Sequence, residues 1–457
     1  MKLFEPICVG LLLLSAMPLY SQADNPPKQP VPAYGADDSQ ENNDILMRTP
    51  PPVSGKSYPT TPKSQERSNY LRGGVTFSSA YNDNVLGATG PNSTPVSDVS
   101  YSVWPTLALD ETTTRLHWTL SYAPGFTFYQ RTSARNEADQ TAAINFQYRL
   151  SPHVTFSAED NFQKTSNVFN QPDLASAGTV SGGAQGGNLS VVAPLSNLLR
   201  NSGNVGITYQ FAANEMMGAS GVFTNLHFLD EALVPGLFDS ESQGGSAFYA
   251  YRASQVHYVG ISYQYQRLLS FPTQGQNETQ THAILVFYTL SPSKRFSISL
   301  FGGPQYADIG PNTPQPGLQT WTPAGGASMN WQGQLTSAAV SYSHMISAGS
   351  GLIGAVEMDS ANASFRRQLA RFLSGSLSGG YDQGAVVGGV PQGATSTNGH
   401  NISGTASLQQ QLGQYLSVQL GYTRIHQTYN VAAISATPDT NREFVSVSYQ
   451  FSRPLGR

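Results

Sequence analysis

The sequence predicts an all-β fold: a transmembrane, antiparallel, up-and-down β-barrel of about eighteen strands (16–18), with a disordered Pro-rich N-terminal segment. Three observations predict it. Apolar and polar residues alternate with period two over long segments. Tight turns alternate along the chain with long polar loops. Charged residues are scarce and aromatic residues abundant, with no apolar run long enough for a membrane helix.

Residues 1–23 carry the features of an export signal. Lys2 supplies a positive start, an apolar run from Ile7 to Leu14 continues to Leu19, and Ser21-Gln22-Ala23 offers small residues for cleavage after Ala23. Glu5 and Pro6 are unusual in such a start. The run is too short to cross ~30 Å of hydrocarbon as a helix, so a membrane anchor is the weaker reading. The chain's one cysteine, Cys8, lies in this segment. Processing after Ala23 would leave no cysteine, which excludes disulfides, thiol catalysis and cysteine-ligated metals. Cys8 also lacks the Leu-small-small context of a lipid-anchored protein.

Residues 24–68 are polar and rich in proline, including Pro26, Pro27, Pro30, Pro32, Pro50, Pro51 and Pro52. Proline fixes φ and removes a backbone donor, so this stretch is expected to be extended, disordered and periplasmic. A segment that enters the barrel and plugs it is the alternative.

The remaining composition fits membrane strands. Charged residues make up 11% of the chain, against ~25% in ordinary soluble domains. A net charge of −4 gives no reason to expect a nucleic-acid partner.

From Asn69 onward the alternation takes over, and residues 69–457 are read as the barrel. Leu116, Trp118, Leu120 and Tyr122 alternate with polar neighbours. So do Ile144, Phe146 and Tyr148; Val205, Ile207, Tyr209 and Phe211; Leu416, Val418, Leu420 and Tyr422; and Val445, Val447, Tyr449 and Phe451. Successive side chains of a strand point to opposite faces, so each segment has one greasy and one polar face. Segments of about ten residues exceed the ~5–6 of soluble strands and suit a tilted membrane strand.

Tight turns are expected near Thr112, Pro152, Asn214, Gln255, Pro292, Gly333, Ala370 and Gly413, with longer loops at 164–202, 230–243, 308–318, 383–398 and 429–440. Spacing of about 40 residues also invites a β-propeller, but that needs four strands and a recurring signature per repeat. Only two long strands per interval are present. Two strands per tight turn, one from Leu71 to Tyr81 and one from Glu443 to Phe451 give an even number. Both chain ends then lie on the short-turn rim, periplasmic in a bacterial outer membrane. Trp321 and Trp331 share parity and would stand ~23 Å apart along the membrane normal, one at each edge of a ~25 Å apolar band.

Two short motifs are familiar. Tyr81-Asn82-Asp83-Asn84-Val85 at the end of the first strand resembles the opening motif of the outer-membrane β-barrel porin family associated with exopolysaccharide-export loci. The tail from Asn441 to Arg457, with Ser448-Tyr449-Gln450-Phe451, is similar to that family's last strand. The resemblance spans 69–453 in outline. It implies outer-membrane location and a part in export or assembly of surface polysaccharide. Last strands of this kind usually end on an aromatic residue, whereas Phe451 is followed by Ser452-Arg453-Pro454-Leu455-Gly456-Arg457, which leaves the lower end of the final strand open.

A barrel of this size is too wide to be filled by opposing side chains. It holds water, an inward-folded loop or the N-terminal segment. Loop 164–202 is long enough to fold inward, and equally able to stay outside. Arg115, Arg149, Glu159, Arg252, Arg295 and Arg366 are the lumen or pore-mouth candidates, where charges bias which solute enters. They also suit a plainer role, pairing with one another to stiffen the wall.

Catalytic constellations are lacking. No histidine has Ser two positions later on its strand face; His117 with Thr119 and His426 with Thr428 come nearest, and Thr is a poor nucleophile without a dedicated base. Gly55-Lys56-Ser57 has Pro50 where a phosphate loop needs Gly, and the run Gly182 to Gly187 has no helix to follow it. No cofactor, metal or enzymatic activity is expected. The expected partners are outer-membrane lipid, the outer-membrane assembly machinery, and surface polysaccharide or small polar solutes. The leading function is a passive or export-associated channel. A non-conducting structural or adhesion barrel, and a membrane-embedded lipid hydrolase, are the alternatives.

Overall fold

The computed structural model describes residues 69–87, 94–166, 197–229, 237–272, 275–293, 295–310, 317–348, 354–387, 398–431, 434–436 and 438–455. The segments 1–23 and 24–68, with Gly55-Lys56-Ser57, lie outside the described residues, as does the run Gly182 to Gly187. The described elements are β1 (Tyr70–Asn82), β2 (Asp98–Thr112), β3 (Leu116–Tyr129), a 3-10 turn (Ser133–Arg135), β4 (Glu137–Arg149), β5 (Val154–Thr165), β6 (Leu198–Ala212), β7 (Glu215–Phe228), β8 (Asp239–Arg252) and β9 (His257–Phe271). They continue as β10 (Asn277–Ser293), β11 (Phe296–Ile309), β12 (Leu318–Gln332), β13 (Thr336–Ala348), β14 (Ala355–Ala370), β15 (Leu373–Val386), β16 (Asn398–Gln411), β17 (Leu416–Val431), β18 (Ile434–Ala436) and β19 (Asp439–Pro454).

Each strand pairs antiparallel with the next, β17 pairs with β19, and β19 returns to β1 from Tyr70↔Pro454 to Asn82↔Arg442. Three-residue β18 pairs only with β17, so the closed ring has eighteen strands, as the alternation predicts. Closure removes every free sheet edge that hydrocarbon could not satisfy.

All eight expected tight turns are present, at 113–115, 150–153, 213–214, 253–256, 333–335, 371–372, 412–415 and between β10 and β11. Gly413 takes φ +135°, which side-chain-bearing residues rarely adopt. The strands run further toward the long-loop rim than the alternation suggests. β6 and β8 begin inside the expected loops 164–202 and 230–243, and β17, β18 and β19 take up much of 429–440. The reason is physical: main-chain pairing continues beyond the greasy belt, where side chains no longer need to alternate.

The outer face carries the predicted apolar set. Leu120, Tyr122, Ile144, Val205, Ile207, Tyr209, Leu420 and Val447 are all exposed on it. Trp321 and Trp331 share this face of β12 and are 69% and 43% exposed. Near the long-loop rim, the rings of Tyr265, His282, Tyr306 and Trp321 follow one another at 5.1–6.3 Å across β9 to β12. Near the short-turn rim, Tyr209, Phe211 and Tyr249 do the same at 6.1–6.3 Å. Two aromatic girdles therefore bound an apolar belt. Above the upper girdle the outer face turns polar, with Arg267 on Glu278 at 2.8 Å and Arg424 on Asp439 at 3.1 Å.

The seam that closes the ring is reinforced by the motif that follows the first strand. Asn441 donates its backbone N–H to Asp83 Oδ1 at 2.8 Å and its side-chain amide to Asp83 Oδ2 at 2.7 Å, while Asp83 N–H donates to Asn441 O at 3.1 Å. Asn84 donates its side-chain amide to Asp439 O at 3.1 Å. At the other end the final strand does not stop at Phe451. Ser452, Arg453 and Pro454 continue the ladder opposite Arg72, Leu71 and Tyr70, and Leu455 N–H donates to Asn69 O at 2.9 Å.

Inside the wall, rings lie over glycines of the neighbouring strand. Trp104, 1% exposed, covers Gly125, where a Cβ would stand 2.5 Å from the indole. Pro105 and Pro124 stand beside this pair, and the β2–β3 register is interrupted between Val103↔Phe126 and Leu107↔Tyr122. The ring seals a wall that lacks ladder bonds there. Gly125→Ala forces that ring aside and is expected to destabilise the barrel by about 1–3 kcal/mol. Asp83→Ala removes two acceptors from the closing seam and is expected to lose a similar ~1–3 kcal/mol. Urea unfolding of the refolded protein, followed by its gel-mobility shift, measures both; an unchanged midpoint for either variant would contradict the corresponding assignment.

Candidate functional site: the barrel interior

Register sorts the inner wall into two unlike halves. From β14 round through β19 and β1 to β6, inward positions carry Arg72, Asp98, Asp110, Glu137, Asp139, Arg149, Glu159, Arg200, Arg366, Asp382 and Arg442. The two signs are interspersed. Near the short-turn rim Arg72 approaches Asp110 at 3.8 Å, and His117 Nδ1 shares a hydrogen bond of 2.8 Å with Thr112 Oγ1. At the long-loop end Asp98 accepts from Thr132 Oγ1 at 2.6 Å and from the backbone N–H groups of Arg131 and Thr132 at 3.0 and 2.8 Å. Asp382 accepts from Ser360 Oγ at 2.6 Å. Buried Arg442 sits over the Phe444 ring at 5.4 Å, within electrostatic reach of Glu137.

From β8 to β13 the inward positions are neutral apart from Arg252 at the last residue of β8. Here Met216 of β7 joins Ala250, Tyr258, Ala283, Leu285, Phe287, Phe301 and Ala324 in one buried apolar cluster on the inner face, with Phe248 and Met345 packed against it. A greasy inner surface has no place in the simple greasy-outside, polar-inside scheme. Strand parity alone could have shown it, since Leu285, Phe287 and Phe301 each occupy the polar parity of their strands.

The candidate residues divide by location. Arg149, Glu159 and Arg366 occupy inward register positions. Glu159 accepts from Asn161 Nδ2 at 3.1 Å, and Arg366 donates to Gln409 Oε1 at 3.1 Å. Arg252 folds back on the short-turn rim, donating to Asn214 Oδ1 at 3.1 Å and to Ala213 O at 2.8 Å. Arg115 and Arg295 lie in turns, where their carbonyls accept from Arg149 and Gln332 N–H at 2.7 Å. Glu137, Asp139, Arg200, Asp382 and Arg442 are lumen groups that sequence reasoning passed over; their position on the polar parity of each strand is the signal that marks them.

The nearest approach to a His-hydroxyl pair gives little chemistry. His117 bonds Thr112 rather than Thr119, and His426 meets Thr428 at 3.4 Å on the outer face without a further group to activate it among the described contacts.

The upper part of β13 reaches into the barrel while still paired with β14. Beyond His344, β13 leaves the wall and bends inward, bringing its Cα atoms within 8 Å of β8 and β9. Ile346 N–H donates to Gln305 Oε1 of β11 at 3.1 Å, and its side chain, 1% exposed, packs on Leu268 and Ala307. Gly354 at the far end lies against Ser270 of β9. Of loop 164–202, expected as able to fold inward, residues 167–196 lie outside the described residues.

No protein-family model matches this chain, and no curated protein matches it. Solved structures similar to it include Pseudomonas aeruginosa OccK2 (OpdF), at 12% identity over 85% of this chain and 98% of that one, with a TM-score of 0.41. Pseudomonas aeruginosa OpdK with vanillate is similar at 11% identity over 84% and 99%, with a TM-score of 0.40. The FrpB iron transporter of Neisseria meningitidis (F3-3 variant) is similar at 8% identity over 85% and 82%, also with a TM-score of 0.40.

Gln305→Ala removes the acceptor that holds the infolded strand. Amide exchange at Ile346 is expected to speed up about tenfold, the equivalent of one buried hydrogen bond, while Val340 in the paired part of β13 keeps its rate. Equal rates at Ile346 in both proteins would show that the hairpin does not depend on Gln305.

Proposed function

We propose that this chain is a channel of a bacterial outer membrane, with the short-turn rim and both chain ends periplasmic and the long loops outside. The observation that carries this reading is a closed ring of eighteen strands with an apolar outer belt and an inner wall half lined by charges of both signs. Rings of this size leave an aqueous passage unless something enters them. The infolded β13–β14 hairpin narrows that passage, and the charged half faces it. A solute passing between the two meets Arg366, Glu159 and the groups around Arg442 on one side and a neutral wall on the other. That arrangement suits hydrated, weakly charged solutes such as sugars.

Surface polysaccharide is the cargo we propose, on the resemblance of Tyr81 to Val85 to porins from exopolysaccharide-export loci. In this chain Asp83 and Asn84 of that motif clasp the closing seam, so the motif serves barrel closure whatever passes through. Outer-membrane lipid around the belt and the outer-membrane assembly machinery are the further partners. The candidates Arg149, Glu159 and Arg366 would act as field-setting groups along the path, with Arg115, Arg252 and Arg295 at the periplasmic mouth.

Folded protein in a planar bilayer is expected to give discrete current steps; a silent bilayer containing folded protein would favour a structural barrel instead. Arg366→Glu exchanges a positive for a negative group on the inner wall, so the zero-current potential in a salt gradient is expected to shift toward cation selectivity. A strain lacking the protein is expected to lose surface polymer while retaining it inside the envelope; normal surface polymer would remove the polysaccharide link and leave the channel.

A further inference from the structure

The seam between β12 and β13 is the shortest in the wall. Only Gly325 to Gln332 on β12 pair with Ser337 to His344 on β13. On either side the neighbouring ladders run on, β11 with β12 to Ile309↔Leu318 and β13 with β14 to Ala348↔Ala355. Above Gly325 the wall is therefore split.

The sequence supplies the cause. Pro304 and Pro323 are register partners across β11 and β12. Two facing prolines have no N–H to exchange, so theirs is a non-hydrogen-bonded pair and the main-chain groups of Pro323 point away from β11, toward β13. Gln332 N–H donates on the β11 side, to Arg295 O, which puts Trp331, Gly325 and Pro323 alike on the β13 side. The first ladder position past Gly325 is thus the one that lacks a donor. β13 does not wait there: its Ile346 N–H turns instead to Gln305.

Height places the split within the belt. Gly325 and Trp321 lie six and ten residues above Trp331, which is about 14 and 23 Å along the normal of a ~25 Å band. The opening therefore spans the part of the belt nearest the long-loop rim, with exposed Trp321 on its β12 side and outward His344, bonded to Asp359 and Glu357, on its β13 side. At its lower edge the inner wall is apolar, where Ala324 and Phe301 belong to the buried inner cluster and Met345 of the departing strand packs on it; higher up, inward Gln305 and Thr322 stand beside the apolar Ala307 and Ile346. Hydrocarbon outside and apolar side chains inside meet through one gap, while the charged half of the wall stands across the lumen.

We propose that this split is a lateral portal that passes the acyl chain of a membrane amphiphile between the belt and the lumen. The tail enters between β12 and β13 onto Phe301, Ala324 and Met345, and the polar head turns toward the charged half. A water-soluble solute would have no use for this gap, because its outer side is lipid. The proposal rests on the membrane placement given above.

The test folds the full chain into phosphatidylcholine vesicles containing diazirine-bearing palmitic acid, irradiates them and maps the label by mass spectrometry. Label is expected on Phe301, Ala324 or Met345 as well as on outward Leu300 and Met329. Label confined to the outward residues would overturn the portal. Absence of label from the outward residues too would overturn the membrane placement itself. Pro323→Val restores the missing donor and is expected to lower the inner labelling about fivefold, the worth of one ladder bond, with Met329 labelled as before. Unchanged inner labelling in that variant would overturn the assignment of the gap to Pro323.

Discussion

Hydrocarbon accepts no hydrogen bonds, and the rest of this molecule follows from that. A sheet can stand in lipid only if every strand finds two partners, so the chain must return its last strand to its first. β19 does so along the whole length of β1, and the details at both ends of that seam, Asp83 with Asn441 above and Asn69 with Leu455 below, serve the same end. Closure sets the inner diameter, the diameter sets how much of the interior side chains can fill, and that remainder is the space in which function is possible.

Within this frame the wall is uneven in two respects that belong together. One part of the inner surface is charged and the other is neutral with an apolar core, and the neutral part is also where the seam between β12 and β13 ends early and β13 bends inward, still paired with β14. Strand β13 can fold inward because the inner surface it meets is apolar: Met345 and Ile346 lie on neighbouring parities yet both find greasy partners there. Aromatic rings over glycines make the thin places of the wall tight elsewhere, as Trp104 does over Gly125. A ring thus covers the place where the ladder is interrupted on the charged side, whereas on the apolar side the ladder between β12 and β13 stops at Gly325.

The polar collar above the upper girdle belongs to the same division of labour. Pairs such as Arg267 with Glu278 at 2.8 Å and Arg424 with Asp439 at 3.1 Å stand on outward positions near the long-loop rim, beyond the greasy belt. Exposed pairs of this kind add little stability. Their place in the structure is to end the belt: they keep the strands' outer ends in a polar layer and so hold the barrel at one depth.

Much of this was legible in the residues. The two-residue rhythm, the eight tight turns and the shared face of Trp321 and Trp331 depend only on neighbours along one strand, and pleat geometry converts such neighbours into faces without further information. The inward placement of Arg149, Glu159 and Arg366 follows from the same parity. Arg115 and Arg295 escaped it, because parity ends where a turn begins, and Arg252, inward by parity at the last residue of β8, folds back on the turn. What the tertiary structure alone decided is which strands lie opposite one another. The meeting of Ile346 with Gln305, the facing of Pro304 and Pro323, and the gathering of inner aromatic residues into one patch all depend on register between segments distant in the chain. A local pattern says which side of the sheet a residue is on; only closure of the ring says what stands across from it.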